Sequence, residues 1–320
     1  MSHSFLISAK GRLLVARLPK KSTEYLCRCV YAGSEIKVKN LDVEKSTDIA
    51  EAEGLLTNIW DLVKVLENAL ESQTNFSEST ADLSGISVLG GHPIVIENAE
   101  IEQGTVIDNR KGGVYIGPEA KVQPCRIIGP AYIEGKTQVK QFSIIEKSYI
   151  GYNCRVAGEI EHSVIMNHTN KAHDGFVGHS YFCPWINIGA MSTTSDLKIT
   201  YGNIKMDNID TGQNKIGVFL GDMVKTAICS TLYSSSRIGV SSQVYGLAAK
   251  DVPSFSIHGE GIGSKNVEMQ LESAIQTQKR MMGRRDKEMS NAYEQMIKDV
   301  FLMTAESRKR SGIRKGKFAI

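Results

Sequence analysis

Between Ile116 and Val244, apolar residues return at every sixth position. Ile127, Ile133, Val139 and Ile145 form one run and Leu220, Thr226, Leu232, Ile238 and Val244 another; Ile116 and Val122, Ile150 and Val156, and Phe176, Phe182 and Ile188 form shorter ones. Glycine follows several of these residues, at 117, 151, 189, 221 and 239 among others. A helix repeats every 3.6 residues and a half-buried strand every two, so a period of six fits neither. It fits a parallel β-helix, in which three hexads close one triangular coil of about 18 residues and each hexad sends one apolar side chain inward. Residues six apart then occupy successive faces, and residues about 18 apart stack at the inter-strand spacing of roughly 4.8 Å. Ile127 is expected against Ile145, and Leu220 against Ile238.

The repeat organises the rest of the chain. The β-helix is expected over residues 86–258, with a polar, out-of-phase insertion from Ser195 to Gly217. A loop carried on a rigid scaffold is where binding groups tend to sit, although a surface insertion can also be merely tolerated. Residues 1–75 lack hexads and read as a small α+β piece, with a strand at Leu13–Leu18 and an amphipathic helix at Leu55–Ser72. In that helix Leu56, Ile59, Leu62, Val63, Leu66 and Leu70 make one stripe, and Ser77–Gly85 follows as a polar linker. Helical periodicity returns over 265–306, with Gly283 expected to divide it, and 307–320 is a basic tail. The Met-rich stripe of these helices suits a face packed on the prism or on a neighbouring subunit.

Charge and cysteine content limit the partners. A formal charge of +3 gives no molecule-wide attraction to nucleic acid or membrane. The basic stretches Lys279–Arg285 and Arg308–Lys317 could meet an acidic partner or nucleic acid, but read more simply as solvated helix surface and frayed tail. No segment approaches the roughly 20 apolar residues of a membrane span, and the first residues lack a signal-peptide core. Cys27 and Cys29 form a C-x-C and the other four cysteines are scattered, without zinc-type C-x-x-C pairs, so all six read as buried, reduced thiols and a cytoplasmic location is expected.

Asn170–Tyr181, NKAHDGFVGHSY, holds two of the seven histidines. Pairs six apart, His162 with His168 and His173 with His179, fall on different faces, which speaks against a shared metal ion, and no metal is expected. A corner histidine can close its turn by hydrogen bonding or move a proton.

NKAHDGFVGHSYF, NIGAMSTTSDLK, YGNIK, FLGDMVKTAICSTL and DVPSFS together resemble the left-handed β-helix acyltransferase half of the bifunctional N-acetylglucosamine-1-phosphate uridyltransferase/glucosamine-1-phosphate N-acetyltransferase family and its sugar-nucleotidyltransferase relatives. The likeness spans roughly 55–301 and implies a single-stranded left-handed parallel β-helix, mainly β, assembled as a homotrimer. Acetyl-CoA would be a cosubstrate, with no tightly bound cofactor, in clefts between prisms. The other partner would be an amino sugar, its phosphate or a sugar nucleotide. An amine attacking a thioester must lose a proton, a task suited to imidazole. The resemblance assigns it to His173. It also places Glu159, Phe176, Asn187 and Asp196 at the sugar, and Ala190, Ala227 and Ile228 at the acyl donor.

Two departures concern phosphate. Glu161 stands where the family has a lysine and Asp196 where it has an asparagine, and carboxylates repel a phosphate. The Gly-rich phosphate loop of a nucleotidyltransferase has no counterpart, so uridylyl transfer by this chain alone is not expected. An acyltransferase is the leading reading. A non-catalytic sugar-nucleotide-binding or regulatory trimer is the second, and a nucleotidyltransferase completed by a separate subunit the third.

Overall fold

Coil upon coil, the six-residue period closes into three parallel sheets in the computed structural model, which describes residues 4–9, 12–32, 34–49, 56–75 and 83–319. The chain divides into two units, Met1–Thr57 and Asn58–Ile320. In the first, strand Phe5–Ala9 lies between Arg12–Arg17, antiparallel to it, and Lys45–Ile49, parallel to it. The strand expected at 13–18 is therefore present. Helix α1, Lys20–Ala32, was not foreseen; Tyr25, Leu26 and Cys29 give it only a narrow apolar stripe.

The second unit is a β-solenoid of about ten turns. Its first face carries strands such as Ile144–Glu146, Glu159–Glu161 and Phe176–Gly178; its second, Tyr149–Ile150, Val164–Ile165 and Tyr181–Phe182; its third, Gln138–Val139, Arg155–Val156 and Asn170–Lys171. Ile127 pairs with Ile145, and Leu220 with Ile238, in the expected registers. The coils vary in length, however. Ile145 pairs with Ile160 and Val156 with Lys171, fifteen residues on, whereas Ile165 pairs with Phe182 after seventeen. Shortened corners account for the broken phase near Ser163–Lys171. The insertion leaves between Phe182 and its ladder neighbour Leu220, and contains the antiparallel pair Lys205–Met206 and Ile209–Asp210.

The prism interior is a column of branched aliphatics. Ile107, Ile116, Ile127, Ile133, Val139, Ile145, Ile150, Val156, Ile160 and Ile165 are fully buried. Phe176, assigned inward by its six-residue spacing, instead lies partly exposed while Val177 enters the core, because the preceding corner has shifted the phase by one. Buried serines tie successive coils: Ser148 Oγ accepts from Ser163 N, Ser163 Oγ from Ser180 N, and Ser180 Oγ from Val218 N.

Helices cover two sides. The single helix expected at 55–72 is two, α2 (Asp61–Lys64) and α3 (Leu66–Thr74), and both lie in the second unit. Leu66 and Leu70 pack with Val164, and Trp60 packs with Ile204 and Phe219. Leu56 and Ile59 stay exposed, since both precede the first residue of α2 and so lie outside the helix expected to carry them. The linker expected at 77–85 falls largely outside the described residues. After the prism, α4 (Leu271–Gly283), α5 (Asn291–Met303) and α6 (Ala305–Arg310) follow, α4 ending at Gly283 as anticipated. Met282, Ile275 and Ile297 meet Met223 and Phe255 of the prism. The basic tail is not wholly solvated: Arg308 is 2% exposed and bonds Glu268, Thr304 and the Phe301 carbonyl. Nor are all thiols buried, since Cys27 and Cys229 are exposed. No described helix is long and apolar enough to cross a membrane.

Candidate functional site

His173 occupies the corner where the chain leaves strand Asn170–Lys171 on the third face for Phe176–Gly178 on the first. Its side chain is exposed, and among the described residues none bonds its ring. The corner is built by its neighbours. Lys171 takes an inward core position, in register with Val156, and its Nζ donates to the His173 carbonyl at 2.5 Å. Burial holds this amine down to about 8, below the usual lysine range. Gly175 has φ of 126°, and a Cβ there would meet the Ser192 carbonyl at 2.0 Å. Only glycine combines that conformation with so close an approach.

The predicted acyl-donor residues fall along the same edge. Ala190 is in the matching corner one coil above His173, and its carbonyl accepts from Cys229 N at 2.8 Å, which brings Ala227 and Ile228 into the next coil. Ile228 is 70% exposed. Phe142 and Met191, exposed by 82% and 60%, lie on this edge too, at the turns from third to first face.

The sugar-binding candidates divide around the edge. Glu159 and Phe176 are register partners on the first face. The Phe176 ring lies over Gly178, where an added Cβ would come 2.3 Å from its Cζ and 2.7 Å from Asp196 Oδ2, so Asp196 belongs to the same patch. Asn187 lies on the third face, bridged to Asn170 and Lys225, and its Oδ1 accepts from Asn170 Nδ2 at 2.9 Å. It borders a hollow of about 240 Å³ beneath Arg280 and Met281 of α4. Lys225 in this hollow donates to the Trp185 and Met223 carbonyls, and burial lowers it to about 7.

A polar cluster that was not anticipated sits where the first face turns into the second. His162 and His179 stack with centroids 4.8 Å apart and planes 6° from parallel. His179 Nδ1 is 2.8 Å from Asp196 Oδ2. Burial alone pushes the Asp196 carboxyl up, yet the His179 bond and the charges of His179 and Lys215 bring it below the usual range. Lys215, from the insertion, lies 3.3 Å from Glu161 Oε1, and Lys147 lies 2.5 Å from Glu67 Oε1 of α3. The imidazole of His162 is lowered first by burial, then by the charges of His179 and Lys147. The seventeen-residue offset from His162 to His179 equals that of Ile165 to Phe182, the signal that six-residue comparisons overlooked. One ligand atom each from Glu161, His162 and His179 lies within 4.8 Å of the others. Lys215 and Lys147 bring positive charge to the same cluster.

No family model matches the chain. It is 28% identical over 207 residues to a bifunctional sugar-1-phosphate nucleotidylyltransferase/acetyltransferase of Sulfurisphaera tokodaii, covering 62% of this chain and 46% of that protein. It is 27% identical over 175 residues to the bifunctional protein GlmU of a Nostoc species, covering 51% of this chain and 34% of that one. The GlmU of Thermodesulfovibrio yellowstonii is 23% identical over 188 residues, covering 58% and 37%. The chain thus spans less than half the length of these curated relatives, which are GlmU-type bifunctional nucleotidyltransferase/acetyltransferases, the group its motifs resemble. Similar solved structures include a Bacillus cereus protein assigned as an acetyltransferase, at 12% identity and TM-score 0.27, covering 68% of this chain and 98% of that one. Another is a mutant of AntD, a Bacillus cereus N-acyltransferase, with dTDP and coenzyme A, at 12% identity and TM-score 0.26, covering 60% and 91%.

Proposed function

We propose that this protein is a CoA-dependent N-acyltransferase acting on an amino sugar, its phosphate or a sugar nucleotide. The observation that carries this reading is the edge on which an exposed His173 lies directly beneath Ala190, with Ala227 and Ile228 in the coil above. A thioester lying along the edge would bring its carbonyl to the histidine, with the acceptor over Glu159 and Phe176. The amine nitrogen attacks the carbonyl carbon, His173 takes the amine proton, the C–S bond breaks, and the thiolate leaves and is protonated. Asn187, around the edge, and Asp196, on the far side of the patch, would hold the acceptor. The exposed apolar residues Phe142, Met191 and Ile228 on the same edge support a homotrimer whose clefts contain this site.

Glu161, placed where a lysine would favour phosphate, is met by Lys215 from the insertion, which returns a cation to that end of the patch. The His179–Asp196 pair favours a second reading of the base, because a carboxylate bonded to one ring nitrogen fixes the tautomer that the other presents. Thiol release from acetyl-CoA with a panel of amino sugars and their phosphates and nucleotides tests both. His173→Ala should lower kcat by about 10²-fold or more, within the range typical of a lost general base, while His179→Ala changes it little. The opposite ranking moves the base to His179, and no turnover with any acceptor removes the enzymatic reading.

A further inference from the structure

A cleft of about 620 Å³ opens on the third face, in the coils preceding the one that carries His173, and is closed on one side by the α4–α5 connection. Its charge is unusual. Two carboxylates on its wall are satisfied locally, Glu100 by Lys121 at 3.0 Å and Glu119 by Lys136 at 3.6 Å. Arg155, Arg284, Arg285 and Lys287 remain, and among the described residues no carboxylate lies within 4.0 Å of any of them. Arg155 is held by neutral oxygens alone: its Nη1 donates to the carbonyls of Lys136, Asn153 and Cys154 and to Asn153 Oδ1. Arg285 has a buried Nε with no partner.

Four cations against Asp286 leave three net positive charges converging on one concavity. Burying unpaired charge is costly, and like charges add to the cost. Burial and the nearby Arg155 and Arg284 depress the Arg285 guanidinium from its ordinary value, although it stays charged. A bound anion would remove this penalty and satisfy Arg285 Nε. Guanidinium groups match phosphate oxygens in pairs, and the volume is that of a small-molecule pocket rather than a flat polyanion track.

We propose that this cleft binds a diphosphate ester, the chemistry shared by nucleoside diphosphates and coenzyme A. Arg155 is the preset ligand on the prism; Arg285 and Lys287 come from the α4–α5 connection. Occupancy would fasten the helical segment to the third face. The proposal is independent of acyl transfer, since the cleft uses none of the residues assigned to that reaction.

Calorimetry on the full chain tests it, with inorganic phosphate, pyrophosphate, ADP and coenzyme A as probes. Pyrophosphate and at least one of the two esters should bind at least tenfold more tightly than phosphate, weakening as salt screens the cations. The relative affinities of ADP and coenzyme A identify the source. Arg155→Gln and Lys287→Gln should each weaken pyrophosphate at least tenfold, whereas Lys315→Gln on the tail should not. Lys287 is exposed, so its variant guards against misfolding at Arg155. Pyrophosphate should also raise the melting temperature of the wild type. Equal weakness of all probes, equal losses in the cleft and tail variants, or binding of RNA that pyrophosphate does not displace would overturn the proposal.

Discussion

Lys171 is the residue at which fold and chemistry meet. An amine occupies a core position between Val156 and the next coil, and its single bond fixes the carbonyl of His173. Because its folded value of about 8 lies below the ordinary 10.5, folding disfavours the charged form. Above about pH 8 the unfolded chain holds more protons at this site than the folded one, so stability rises with pH toward about 10.5; below about 8 the full penalty applies. Lys225 acts with the same sign. Lys171→Met should therefore flatten the rise of melting temperature between pH 8 and 10 relative to the wild type, with no loss at pH 7, as thermal melts across that range would show. A steeper rise in the variant would contradict the burial argument. His173 itself was legible from its motif, whereas Lys171 looked like one more polar residue, because the local coil of fifteen residues decides that it points inward.

Among the elements, one buried cation ties the C-terminal helices down in addition to their apolar contacts with Met223 and Phe255. The Arg308 guanidinium lies 4.1 Å from the Phe301 ring centroid and 2.8 Å from Glu268 Oε2, joining α5 and α6 to the strand after the prism. Removing one partner of such a pair leaves the other charge uncompensated, at a cost of about 3–5 kcal/mol. Arg308→Met should accelerate hydrogen exchange in α5 and α6 while the prism strands keep their protection, and adding Glu268→Gln should recover part of the loss. Uniformly faster exchange across the prism would show that the helices and prism unfold together. The helices were readable from their apolar spacing and Gly283. The anchoring was not, because a basic run looks solvated until Phe255, Phe301 and Glu268 are seen to surround one of its members.

For the whole molecule, the edge bearing His173 also carries Phe142, the most exposed aromatic residue among the described residues. If copies meet there, Phe142→Glu should shift sedimentation from trimer to monomer and lower acetyl transfer at least tenfold, with the monomer's secondary structure unchanged by circular dichroism. A wild type that sediments as a monomer while fully active would separate catalysis from assembly. The stretch aligned to the Sulfurisphaera tokodaii relative covers 46% of that protein, and the three-stranded sheet of the first unit forms a compact unit of its own.

The amino-acid sequence alone determined the solenoid, because a six-residue apolar period buries its side chains only if the chain winds into three-sided coils. It also determined the corner of His173, whose glycine and histidine spacing is local. Tertiary structure decided which outward side chains meet. Coils of fifteen, seventeen and eighteen residues, and one lengthened by the insertion, set the vertical neighbours. Those unequal lengths stack His162 on His179, carry Lys215 to Glu161 and turn Lys171 inward, while the α4–α5 connection brings Arg285 to the face of Arg155. Contacts between coils depend on the summed length of every corner between them, a quantity no single motif contains.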